Sequence, residues 1–427
     1  MKGNFIFIFF LIYLFSKNTS KNLREQSNNE TGEDKLIFVW EHFRHGARGP
    51  YIGVNPKTNL DFIGEKWDGI GEITPLGMRM LYLLGISNKK KYSKFLSENF
   101  NPNELFIIST NVNRTITSVD SFLKGFYNNK TSINMTQTQI ERSNILNSNY
   151  SDRINMKIKE LENKSLENGV NTIPVHIFDR SKLEFGLYDL SNCPGIDVYK
   201  KKNQNSEKVK NIYEEIIRHT NDTFGKYIFE FMNVSDPLYL WNKTNNYYLA
   251  DTFFSDYFDN RKMKNIQETH IDMEAFYHNS LNVTYIDTYY SEFGIPSTET
   301  VYITVSPILR NLLNYIYLRI DLDKKGKTDD IIPNSPRFVI LSGHDTSLAP
   351  IDIFMESEFG VNFKMATYAS SQEFELWKNG TTGKYSIHYL FNQEEKGVYD
   401  FETFKNKLED KLYSQEQIKK ICYPSNS

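Results

Sequence analysis

The sequence predicts an α/β fold: a three-layer core around a central, mostly parallel sheet, plus a mainly helical inserted cap domain. Three observations point to it. Strand-like and helix-like runs alternate over residues 35–126, the alternation fades over 127–299, and it returns over 300–427. Such alternation builds a sheet covered on both faces by helices, and 427 residues are enough for that core and a second unit.

Taken in order, Lys2 and the unbroken apolar run 5–15 read as a secretory signal peptide over residues 1–20. The run is shorter than the ~20 residues a spanning helix needs, so an uncleaved anchor is the weaker alternative. Residues 21–34 are polar and read as a disordered leader. No stable membrane span is expected after signal cleavage, since no later segment is long and apolar enough.

The core opens with a strand from Lys35 to His42, apolar from Leu36 to Trp40 and so expected to be covered on both faces. Thr74-Pro75 starts a helix, because Thr can cap and Pro is tolerated at the first helical position. Leu105–Ser109 reads as a second strand, and Thr110-Asn111 leads into a helix carrying Arg114, Val119 and Phe122. In the insertion the clearest helix is 206–232. Ser306-Pro307 is expected to open a further helix, followed by a strand at 338–341 that runs into Ser342-Gly343-His344-Asp345. Residues 372–377 and 385–391, joined through Asn379-Gly380, form a predicted β-hairpin.

Composition narrows the function. A formal net charge of -3 gives no long-range attraction to nucleic acid or anionic lipid, so clustered arginines serve a local purpose. Cys193 and Cys422 are the only cysteines; pairing and two free thiols are equally compatible with the sequence, and no zinc-ligand spacing exists. Asn-X-Ser/Thr sequons concentrate between Asn129 and Asn282, in keeping with a glycoprotein on the secretory route. Asn113 is expected to stay unglycosylated, because a glycan there would sit against Arg114.

The densest chemistry lies in Arg44-His45-Gly46-Ala47-Arg48-Gly49-Pro50, directly after the first strand. Guanidinium groups hold phosphoryl oxygens with paired, permanently charged hydrogen bonds. A histidine between two of them is placed to attack the phosphorus. Gly46 leaves room for backbone amides, and Arg114 at a helix start can reach the same pocket. His344 is a candidate phosphate ligand. Asp345 is the candidate general acid, a role favoured at acidic pH. No cofactor or metal is called for, since the arginines supply the positive charge. His42 and His45 have H-x-x-H spacing, but a strand points them to opposite faces, which argues against a metal pair.

These motifs resemble the histidine acid phosphatases, the acid-phosphatase and phytase branch of the histidine phosphatase superfamily. The family's R-H-G-x-R-x-P motif is complete at residues 44–50 and its H-D motif at His344-Asp345. Residues 74–79 with Leu84-Gly85 resemble the helix after the first motif. Ser109-Thr110 with Arg114-Thr115 and Ser118 resembles the third arginine segment, and 372–377 the strand after H-D. The resemblance covers both ends of the core and is loose in the middle third. It implies His45 as phosphorylated nucleophile, Asp345 as proton donor, and Arg44, Arg48, Arg114 and His344 as phosphate ligands.

The implied activity is metal-independent hydrolysis of small phosphomonoesters in a secreted or lysosomal/vacuolar setting. A phytase-like or lysophosphatidate phosphatase on the same scaffold is the alternative. An inactive phospho-ligand-binding protein is disfavoured, because a binder needs neither His45 nor Asp345. Ala47 stands where some animal acid phosphatases carry Asp, H-D replaces the H-A-E of inositol polyphosphate phosphatases, and two cysteines cannot supply the better-known members' disulfide set. A homodimer is left open.

Overall fold

The computed structural model describes residues 32–50, 69–127, 134–143, 152–167, 172–177, 193–211, 214, 218, 251–252, 254–260, 289, 293–362 and 365–424. The signal peptide and most of the leader lie outside them.

The sheet begins with β1 (Lys35–Arg44) and continues with β2 (Leu105–Ser109), β3 (His176–Ile177), β4 (Phe338–Gly343), β5 (Ser371–Lys378), β6 (Tyr385–Phe391) and β7 (Glu394–Asp400). Its seven strands run in the order β3-β2-β4-β1-β5-β6-β7. The first four in that order are parallel, and β5 to β7 add an antiparallel meander.

Neighbouring residues of each central strand go to opposite layers, as the twofold strand period requires. Val39, Phe43, Ile107, Phe338 and Ile340 pack with α1 (Pro75–Lys91) and α2 (Asn113–Phe126). Phe38, Trp40, Ile108, Val339 and Leu341 face the other layer, where α6 (Glu299–Lys324), α7 (Asp345–Phe359) and α8 (Phe401–Lys411) lie. Burial on both sides explains the continuous apolar runs that the sequence shows.

Along the chain between α2 and α6 run α3 (Gln137–Ser143), α4 (Asp152–Leu161) and α5 (Ile196–Gln204). The helix expected at 206–232 falls largely outside the described residues; 207–211 are helical. Among the described residues, several parts of 127–299 contact the sheet and its covering helices, Tyr289 and Phe293 among them. β3 pairs with β2, and Cys193, just before α5, forms a disulfide with Cys422 at the end of α9 (Gln415–Cys422). The bridge closes the choice that the sequence left between paired and free thiols.

Several boundaries differ from expectation. β1 extends past His42 to Arg44, so the first motif arginine is still in the ladder. α6 does not open at Ser306-Pro307: it starts at Glu299 after the cap position Thr298, with Pro307 inside. Burial of Val301, Ile303, Val305, Ile308 and Leu309 carries the helix through the missing N–H. The hairpin of β5 and β6 is present in register from Gln372–Phe391 to Lys378–Tyr385. No helix of the described residues is long and apolar enough to cross a membrane.

Candidate active site

β1 and β4 are adjacent and parallel, with Arg44 opposite Gly343. Both motifs therefore leave the sheet at the same edge, the C-terminal edge where α/β proteins bind ligands. The His45 amide donates to the Gly343 carbonyl at 3.0 Å, extending the ladder one step beyond the strand. β2 ends at this edge too and delivers Thr110 and the start of α2.

The loop after β1 is seated on the first turn of α1. Thr74 caps that helix by accepting from the Gly77 amide at 3.1 Å, and its own amide donates to the Ala47 carbonyl at 2.8 Å. The approach is so close that a Cβ on Gly46 would lie 2.2 Å from the Gly77 carbonyl oxygen. Only glycine allows the motif to reach the helix this way.

His45 is buried, and its Nδ1 lies 2.9 Å from the Gly46 carbonyl oxygen. A carbonyl only accepts, so Nδ1 carries the proton and Nε2 keeps its lone pair. Burial, then Arg114, Arg44, Arg48 and His344, hold the imidazole well below the usual histidine range. The neutral form of the ring is thereby favoured.

The motif arginines are held on several sides. Arg44 donates to the Ala366 carbonyl at 2.8 Å and pairs with Asp345 at 2.8 Å. Its guanidinium also lies 4.6 Å from the Tyr368 ring centroid. Arg48 forms a two-pronged pair with Asp251, at 3.1 and 2.7 Å, and donates to the Gly49 carbonyl at 2.8 Å.

The His344 and His45 ring centroids are 5.5 Å apart. Arg114 lies 3.3 Å from His344 Nδ1, and Thr110 Oγ1 lies 3.0 Å from His344 Nε2. Because guanidinium only donates, Nδ1 accepts and Nε2–H points at Thr110. Asp345 begins α7, with one carboxylate oxygen on Arg44 and the other accepting the Thr346 amide at 2.9 Å. His42 lies apart from this cage. It is buried against Ser347, 3.0 Å from its hydroxyl, and burial lowers it to about 3.

All the residues singled out from sequence therefore lie at one sheet edge: Arg44, His45, Arg48, Arg114, His344 and Asp345. Sequence reasoning did not single out Asp251, Phe254, Ser255 or Tyr368. The first three come from the stretch where strand–helix alternation fades, and no motif marks any of the four. No group of three or more His, Cys, Asp or Glu side chains able to hold a metal occurs among the described residues.

A guanidinium cage at the C-terminal edge of a parallel sheet, around a histidine and an aspartate, fits the class that the comparisons show, the phosphoric monoester hydrolases. The chain belongs to the histidine phosphatase superfamily (branch 2), whose family model matches residues 35–392. It is 22% identical over 366 residues to the lysosomal acid phosphatase of Xenopus laevis, covering 84% of this chain and 70% of that protein. It is 37% identical over 94 residues to human prostatic acid phosphatase, where the match spans 22% of this chain and 24% of the relative. Among solved structures, Hafnia alvei phytase with myo-inositol hexakis sulphate superposes with a TM-score of 0.58 at 13% identity, covering 91% of this chain and all 100% of that one. The phytase from Citrobacter braakii gives 0.55 at 13% identity, over 89% and 98% of the two chains. At such identities the structural likeness concerns the fold.

Proposed function

We propose that the chain is an acid phosphatase that hydrolyses small phosphate monoesters through a phosphohistidine on His45. The observation that carries the reading is the hydrogen bond from His45 Nδ1 to Gly46, which leaves the lone pair on Nε2, while burial and the surrounding cations disfavour its protonation. In the first step Nε2 bonds to phosphorus, the ester P–O bond breaks, and the leaving alkoxide takes a proton from Asp345. In the second, Asp345 takes a proton from water as the water oxygen attacks phosphorus, and the P–N bond breaks to release phosphate. Arg44, Arg48, Arg114 and His344 hold the non-bridging oxygens through both steps. For His344 this means that its Nε2–H exchanges Thr110 for a phosphoryl oxygen.

Arginine charge does the work that a metal would otherwise do, so chelation is expected to leave turnover intact. The names of the acid-phosphatase relatives, the apolar run 5–15 and the sequons support a glycoprotein of a secreted or lysosomal lumen. We assign 35–126 and 300–427 to the core and 127–299 to a mainly helical insertion.

Substitution of the acid tests the assignment of roles. Asp345→Asn should lower kcat about 10²–10⁴-fold for alkyl phosphates, the usual scale of general acid catalysis, and far less for aryl esters with good leaving groups. Equal losses across a leaving-group series would remove Asp345 from the acid role.

A further inference from the structure

Residues 251–252 and 254–258 are helical, and Asp251, Phe254, Ser255 and Phe258 have the i, i+3, i+4, i+7 spacing of one helix face. Every one of them meets the cage or Tyr368. Asp251 grips both terminal nitrogens of Arg48. Phe254 lies 5.5 Å from the Arg44 guanidinium and 4.7 Å from the Tyr368 ring. Ser255 Oγ is 3.1 Å from the Tyr368 hydroxyl, and the Phe258 ring is 5.1 Å from the Tyr368 ring. Tyr368 in turn touches the site itself: its ring centroid is 4.6 Å from the Arg44 guanidinium, 5.9 Å from that of Arg48 and 5.7 Å from the His45 ring.

We propose that this helix face and Tyr368 form a clamp that pre-positions the Arg44 and Arg48 guanidiniums for the phosphoryl dianion, with Asp251 and Tyr368 as its positioning residues. The proposal rests on the phosphatase reading for its substrate and extends it to residues outside the recognised motifs. The physical need is clear. A free arginine side chain samples many rotamers, and like-charged guanidiniums repel one another before an anion arrives. A two-pronged carboxylate fixes one fork and offsets its charge. An aromatic face attracts the other cation without competing for the N–H groups that phosphate needs. Fixing both beforehand removes the ordering cost from the binding step.

The test uses the full chain and inorganic phosphate as probe, with affinity read by calorimetry and KM and kcat read on an aryl phosphate. Asp251→Asn should weaken phosphate binding about tenfold, the scale of one lost charge-assisted hydrogen bond, and raise KM more than it lowers kcat. Asp251→Glu, which keeps the carboxylate, should recover most of the affinity. Tyr368→Phe keeps the ring and should stay within a few-fold of wild type, whereas Tyr368→Leu should match the Asp251→Asn loss. Phosphate binding that is unchanged or tighter in Asp251→Asn would overturn the clamp, the tighter result marking Asp251 as a competitor of the anion. If wild type and variants bind phosphate in this rank order while the wild type hydrolyses no ester, the phosphatase reading fails and the clamp stands.

Discussion

At His45 two requirements meet: a lone pair on Nε2, and enough positive charge nearby to hold a dianion. Both are met by one arrangement, because the cations that would bind phosphate also disfavour protonation of the ring. After burial, Arg114 is the largest contributor to that lowering. Arg114→Ala should therefore raise the His45 pKa, and the acid limb of the kcat/KM profile should move to higher pH. Its kcat/KM at the optimum should fall about 10²–10³-fold, as for the loss of one donor to a developing oxyanion. A lower plateau with an unmoved acid limb would show that Arg114 does not face His45. The candidate site residues stood out in sequence because each motif is local and sits just beyond a strand. The Arg48–Asp251 pair spans 203 positions, and no local pattern marks such a contact.

At the scale of elements, α1 and α2 hold the first and third arginine segments in fixed relation. Their crossing is built on two glycines: a Cβ on Gly85 would lie 2.1 Å from the Phe122 carbonyl oxygen, and one on Gly125 would lie 2.0 Å from that of Tyr82. Gly85→Ala should cost about 1–3 kcal/mol, the usual toll of overpacking, and urea unfolding would measure it. An unchanged midpoint would mean that the helices do not cross this closely. The sequence marked both helices, since Thr74-Pro75 is a cap signal and Val119 and Phe122 follow helical spacing. It misplaced the start of α6 because Pro307 is a strong local signal for a first turn. Tertiary burial of the residues before it outweighs that signal. The carboxylate-rich strand β7 carried no apolar alternation to reveal it.

For the whole molecule, the buried acids tie stability to pH. Glu41 and Glu373 stand opposite each other on β1 and β5, both fully buried, and Asn88 donates to Glu41 at 2.6 and 2.7 Å. Lys91, Glu375, Ser371 and Gln393 complete their surroundings. Burial foremost, and the neighbouring carboxylate, push Glu41 well up; burial foremost pushes Glu373 up to about 7 from its usual 4.5. The folded state therefore binds more protons than the unfolded chain across that window. The stability so gained is complete below 4.5 and is lost as pH rises through 7. His42 acts in the opposite sense, losing its contribution as pH falls from 6.5 toward 3. Glu373→Gln should melt with wild type at pH 4.5 and above it at pH 8, by differential scanning calorimetry. Parallel melting curves at both pH values would contradict this assignment.

The proposed chemistry of the whole site reduces to a bond between His45 Nε2 and phosphorus. Rapid quenching of the enzyme during turnover of a radiolabelled phosphomonoester tests it most directly. The expected result is label on the protein that is stable to base, labile to acid, mapped to His45 and missing in His45→Ala. Label on another residue, or undiminished turnover by His45→Ala, would contradict the account.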